Sequence, residues 1–339
     1  MIIFEHKDND MFEQRKALYT QLEKARNSKV LCYVTGDRPN QEAQISADVF
    51  DLFVNHLDVI GDVQKISLIL YTRGGDTLTA WSLVNLLRQF CKELEIIIPS
   101  KCHSSGTIMC LGANNLVMTK QATLGPIDPS VNTPLNPTAI INGQQIQLPV
   151  SVEEINGYLE VVKHDLSIKD DASLASILLA LSEKVHPLVL GKIYRAKSQI
   201  QMLARKLLAH QLTDSENIEK IVSFLCSDSG SHDYTINRIE AVHDLGLTVE
   251  KPDEQLYALI KEIYEDFKTE MRLGEPFDPN AILGAVNQAT YVSVRSILEA
   301  PDTFSYQFRT EGVLQRFQAA PGQFGVNHNL TSEGWAQHG

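Results

Sequence analysis

Two short stretches carry residue types that can do chemistry. Tyr71-Thr72-Arg73-Gly74-Gly75-Asp76 closes one apolar run. Lys101-Cys102-His103-Ser104-Ser105-Gly106-Thr107 joins a second apolar run to a short apolar helix pattern. Paired glycines let backbone approach a ligand closely and can turn N–H groups into a cleft. A serine hydroxyl beside such donors is the arrangement that acyl transfer needs. Each stretch also has a plainer reading: a tight strand-to-helix turn for the glycines, a helix cap for the serine. Position favours the chemistry, because both loops follow strand-length apolar runs, and α/β sheets build their sites at the carboxyl ends of strands. The glycines do not form G-x-G-x-x-G and no Walker lysine follows, which gives nucleotide binding little support.

A serine nucleophile needs a base. His103 adjoins Ser104, but neighbours on a turn seldom aim at each other. His164-Asp165 and His243-Asp244 fall in helical patterns and read as surface pairs. His232 stands in the Ser-, Asp- and Gly-rich loop 227–234, ahead of another helix pattern. Asp76 reads as the cap of the helix that follows it. No H-E-x-x-H spacing occurs, so neither a metal nor a cofactor is expected.

The elements that must position these residues alternate. Strand patterns at 30–35, 66–71, 94–98 and 116–119 are interleaved with helix patterns at 45–59, 78–90 and 107–112. This predicts an α/β fold with a parallel sheet flanked by helices. Residues 130–150 are irregular, with Asn142-Gly143 marking a turn, and read as a loop or small hairpin. Helical spacing then dominates at 152–165, 172–181, 186–210, 215–226, 236–245, 253–272 and 281–300. Residues 304–317 read as a hairpin turning at Glu311-Gly312. The resulting division is an N-terminal helical arm (1–28), a core domain (29–250), a helical C-terminal extension with the hairpin (251–318) and a flexible tail (319–339).

The 339 residues are 43% hydrophobic and 21% charged, as a folded chain requires. Thirty Lys and Arg against 42 Asp and Glu give a formal charge of -12, which argues against nucleic acid or an anionic membrane surface as partner. The five cysteines (Cys32, Cys91, Cys102, Cys110, Cys226) show no C-x-x-C spacing, and a reduced, cytoplasmic setting is expected. Residues 1–16 carry acids where a signal peptide has its apolar core. No apolar run approaches the ~18 residues of a membrane span, so no integral membrane segment is expected.

The order of motifs resembles the Clp-type serine peptidases. A strand ends in Arg73-Gly74-Gly75; a helix and strand follow; then come Ser104-Ser105-Gly106-Thr107, an apolar helix, a strand and Gly125-Pro126-Ile127-Asp128-Pro129. That superfamily shares the crotonase fold and includes the signal peptide peptidase A group. Within it, residues 186–208, Ser231-His232-Asp233-Tyr234 and 241–247 make the chain similar to the serine dehydrogenase proteinase family, over roughly 28–250. The resemblance implies a Clp/crotonase-like serine-type endopeptidase. Ser104 would form an acyl-enzyme, the Gly75 and Ser105 N–H groups an oxyanion hole, and Gly74 and Arg73 part of the substrate cleft. Arg73 departs from the proline that many Clp-type enzymes carry there.

Those peptidases place a histidine where this chain has Asp128 and an aspartate where it has His232-Asp233, so the two residue types are exchanged. The resemblance then implies Ser104 as nucleophile, His232 as base and Asp128 orienting it; roles rather than chain order define a triad. A Ser-Lys dyad of the signal peptide peptidase A type is the alternative, with Lys163, Lys192 or Lys197 as base. A crotonase-type thioester enzyme and a catalytically silent assembly protein are the others. The family also implies a protein or peptide substrate and a trimeric or hexameric homo-oligomer.

Overall fold

Three apolar runs decide the centre of the molecule. In the computed structural model, which describes residues 8–127, 130–141, 143–228, 233–320 and 323–338, they become the inner strands of an eight-stranded sheet. The chain opens with α1 (Asp8–Arg26), β1 (Lys29–Thr35), α2 (Phe50–Ile60), β2 (Val63–Tyr71), α3 (Thr77–Phe90) and β3 (Cys91–Ile98). Then come β4 (Lys101–Cys102), α4 (Ser105–Leu111), β5 (Asn115–Met118) and β6 (Thr123–Leu124). β1, β2, β3 and β5 pair in parallel, with Tyr33 opposite Leu70, Leu68 opposite Ile96 and Ile97 opposite Val117. Parallel strands are covered on both faces, which is why these runs are apolar without alternation. Val30, Cys32, Val34, Ile69 and Tyr71 face one core cluster. Their neighbours turn to the other face, where Tyr33 meets Phe53 of α2 edge-to-face at 5.3 Å.

The chain divides into two units, 1–124 with 237–339, and 125–236. This differs from the arm, core and extension read from composition. In the second unit β7 (Ser130–Val131) pairs with β10 (Val150–Ser151), and β8 (Thr138–Ile141) with β9 (Gln144–Gln147), so residues 130–150 contain a small hairpin. Four helices follow: α5 (Val152–Glu160), α6 (Asp171–Lys184), α7 (Pro187–Leu208) and α8 (Ser215–Ser223). Val131, Val150, Val152, Val185, Val189 and Ile193 form one core cluster of this unit. Among the described residues no single helix is long and apolar enough to cross a membrane; α6 and α7, bent by 103°, pass that test only as a pair.

After β11 (Ile236–Asn237) come α9 (Arg238–His243), β12 (Val249–Glu250), α10 (Glu254–Glu270) and α11 (Pro279–Leu283). The chain ends in three long strands, β13 (Gln288–Glu299), β14 (Ser305–Ala320) and β15 (Gln323–His338). The sheet order is β12-β5-β3-β2-β1-β13-β14-β15, parallel as far as β1 and antiparallel beyond it.

Three expectations fail here. The helix at 281–300 stops at Gly284 (φ 49°), and Thr290, Val292, Val294 and Ile297 continue as a strand; β-branched residues lose little in a pleated sheet, and β1 offered an open edge. Glu311-Gly312 runs on inside β14, opposite a bulge at Thr331 of β15, and is not a turn. The tail expected at 319–339 is largely β15.

The N-terminal helix is no arm either. Phe12, Tyr19 and Leu22 are buried against α10, and Arg15 is 0% exposed. Its guanidinium meets Glu299 through Nε (3.0 Å) and Nη2 (2.7 Å), Glu270 at 2.6 Å, and Asp266. The Tyr19 and Ser305 hydroxyls donate to Glu299 at 2.8 and 2.7 Å, and Gln307 Nε2 donates to Glu270 at 2.7 Å. Three carboxylates thus share one cation. Burial, opposed by Arg15 and reinforced by the charges of Glu299 and Asp266, pushes the Glu270 carboxyl up to about 7. The folded state therefore binds this proton more tightly than the unfolded chain, and its stabilising effect is lost as pH rises from the ordinary glutamate range through about 7. Glu270→Gln should melt like the parent at pH 5 and several degrees higher at pH 8. A lower melting temperature at pH 8, by calorimetry, would contradict this account.

Candidate active site

The site is built where β2 and β4 end side by side. The Thr72 N–H donates to the Lys101 carbonyl and the His103 N–H to the Thr72 carbonyl, both at 3.0 Å, so the chain leaves the two strands in register. On the other side, the Ile45 N–H donates to the Gly74 carbonyl and the Asp76 N–H to the Ile45 carbonyl, both at 2.8 Å. The helix expected from residue 45 thus begins later, and Ile45 is extended chain that pairs with Gly75. The Thr72 hydroxyl accepts from the Gly74 N–H at 2.9 Å and is itself held by Thr35 at 2.6 Å.

With these bonds made, the Gly75 N–H has no acceptor among the described residues. Neither has that of Ser105, the first residue of α4, as expected at a helix start.

Ser104 precedes α4 at φ 52°, ψ −118°, a region almost closed to residues with a side chain, at a cost of about 1–3 kcal/mol. Its hydroxyl makes no capping bond, so the helix-cap reading fails. A sharp strand-to-helix turn of this kind exposes the nucleophilic serine of some α/β sheets. Ser104 is half-buried, while Ser105 beside it is fully buried with a hydroxyl that has no partner.

The glycines permit this closeness. A Cβ on Gly74 (φ 116°) would lie 2.7 Å from the Ser104 Cβ and 3.2 Å from its Oγ; one on Gly75 (φ 147°) would lie 2.3 Å from the Ile45 oxygen. Gly106 serves the same purpose behind the turn, where a Cβ would come within 2.4 Å of the Thr72 methyl. The Thr107 hydroxyl donates to the Cys102 carbonyl at 3.1 Å and fastens α4 to β4.

Asp76 caps α3, its carboxylate accepting from the Thr79 N–H and hydroxyl at 2.7 Å. His103 Nε2 pairs with the Thr123 hydroxyl at 2.9 Å. Arg73 is exposed, and its positive field falls on Asp37. Burial raises the Asp37 pKa, but hydrogen bonds from Lys101 and Tyr71 and the Arg73 charge outweigh it and hold the group below the usual carboxylate range.

Asp128 and His232 lie outside the described residues. Lys163 and Lys192 are exposed and Lys197 is half-buried, all in the 125–236 unit. His164 is an exposed partner of Glu160 at 3.2 Å, and His243 is exposed too. Sequence reasoning missed Ile45, Thr72 and Asp37, which hold the loops through backbone and hydroxyl bonds that no motif signals.

Comparison with known families bears on the segment that holds both loops. Residues 1–153 match the family of ClpP-like SDH-type serine proteinases. That family is the serine dehydrogenase proteinase group suggested by the loop motifs. Two uncharacterized proteins of Methanocaldococcus jannaschii are similar to this chain. One is 27% identical over 203 residues, 60% of this chain and 59% of its own length. The other is 26% identical over 184 residues, 54% and 51%. The chain thus spans little more than half the length of the curated relatives it matches. Among solved structures it is similar to 1510-N, a membrane-bound stomatin-specific protease. One structure, a mutant in complex with a substrate peptide, has a TM-score of 0.37 and 17% identity, and covers 68% of this chain and 78% of that one. A second mutant has a TM-score of 0.35 and 16% identity, and covers 70% and 85%.

Two substitutions separate backbone from side chain in this site. Gly74→Ala should lower the melting temperature and abolish covalent labelling by a fluorophosphonate, since the new methyl displaces Ser104; full labelling would refute the close approach. Ser105→Ala removes a buried hydroxyl without a partner, a group that costs about 1–3 kcal/mol. It should melt no lower than the parent and still label, which intact mass spectrometry would show.

Proposed function

We propose that this protein is a serine-type endopeptidase that cleaves peptide bonds through an acyl-enzyme on Ser104. The observation that carries the reading is the Ser104 turn: a hydroxyl released from capping, on a strained backbone, packed against Gly74. The Ser104 oxygen attacks the scissile carbonyl and its proton passes to a base. The carbonyl oxygen, now an anion, accepts from the Gly75 and Ser105 N–H groups. The base returns the proton to the leaving amine, and water then releases the acyl group. Loss of one such donor costs about two to three powers of ten in turnover.

His232, oriented by Asp128, is the base in this reading, and the assembly is a homo-oligomer. The family match over the serine segment and the resemblance to Clp-type peptidases support it. Fluorophosphonate labelling tests it. Labelling should map to Ser104, vanish in Ser104→Ala and fall by at least a hundredfold in rate in His232→Ala. Labelling that survives His232→Ala and is lost in Lys163→Ala replaces the triad with a Ser-Lys dyad. No labelling of the parent protein overturns the peptidase reading altogether.

A further inference from the structure

A cavity of about 300 Å³ lies on the sheet beside the segment that holds the glycine loop. Gln44 and Ser46, on either side of Ile45, form one wall, and Phe308 and Trp335 another. Three carboxylates, Glu42, Asp48 and Glu333, face a single guanidinium, Arg295. That guanidinium is already committed. It pairs with Glu333 at 2.8 Å, donates to the carbonyls of Gln41 (3.2 Å) and Glu42, and lies over the Phe308 ring. Asp48 accepts the Trp335 indole N–H at 3.0 Å, which fixes the ring as a wall, and among the described residues Glu42 accepts only the Asn40 N–H, at 3.2 Å. After these pairings the cavity keeps an uncompensated charge of about two carboxylates, next to an aromatic face that suits a cation.

A second observation concerns the backbone. Ile45 spends its N–H and carbonyl on Gly74 and Asp76. In extended chain the N–H and carbonyl of Gln44 then point the opposite way, and among the described residues they have no partner. Free groups of this kind accept another strand, with pockets reading alternate side chains.

We propose that this cavity is a subsite for a lysine or arginine side chain of an extended peptide lying along residues 43–46. The inference deepens the peptidase reading and rests on it for the peptide's being a substrate. Residues 43–46 are bonded to the glycine loop through Ile45, so a peptide paired with Gln44 lies one strand away from that loop.

The test uses full-length Ser104→Ala protein and two fluorescent peptides in extended, proline-containing sequences, identical except for Lys against Gln at one position. Fluorescence anisotropy should give roughly tenfold tighter binding of the Lys peptide, about threefold for each of two partly exposed charge pairs. The double variant Glu42→Gln, Asp48→Asn should erase that preference while keeping the melting temperature and the affinity for the Gln peptide. Equal binding of both peptides, or a preference that persists in the double variant, overturns the subsite. Displacement of the Lys peptide by spermidine at equal charge concentration overturns the peptide assignment. Labelling of Ser104 in the parent protein is read separately. A Lys preference without labelling keeps the subsite and removes the peptidase; labelling without a preference does the reverse.

Discussion

The width of one methyl group governs the site. Ser104 sits against Gly74 at a distance that any Cβ on that glycine would close to 2.7 Å. Gly75 sits equally tightly against Ile45, and Gly106 against Thr72. These three contacts let three chain segments converge without side chains between them. Among the described residues the Gly75 and Ser105 N–H groups are left without an acceptor. Strain is the counterpart: Ser104 and the two glycines of the loop all have positive φ. Such conformations persist only where the surroundings determine them, here through the Thr72 and Thr35 hydroxyls and the paired strand ends.

Further from the site, one buried cation organises the other end of the chain. Arg15 joins the N-terminal helix to α10 and to β13, segments separated by some 250 residues in sequence. A single guanidinium among three carboxylates is costly to desolvate, and much of that cost is moderated by Glu270 holding its proton more tightly than usual. Since β13 pairs directly with β1, the same cluster secures the place where the sheet changes from parallel to antiparallel.

How legible was this beforehand? The parallel strands were, because burial on both faces leaves uninterrupted apolar runs such as those ending at Thr35, Tyr71 and Ile98. The serine and glycine loops were legible as types and spacing. The C-terminal strands were not: Tyr291, Val294, Ile297 and Leu298 also satisfy a helical spacing, and only the open edge of β1 decides between the two periods. Nor was α1 readable as core. Arg15 counts as surface until Glu299, Glu270 and Asp266 are brought around it.

By itself, the sequence determined the α/β class, the strand ends that carry the two loops, and the serine with its flanking glycines, because these depend on local pattern and on residues no other type can replace. Only the tertiary structure decided that Ser104 is strained and uncapped, that Ile45 rather than a helix flanks Gly75, and that acids from the middle and end of the chain surround Arg15. Each of these depends on segments distant in sequence meeting at a few ångströms, and a linear pattern holds no record of such distances.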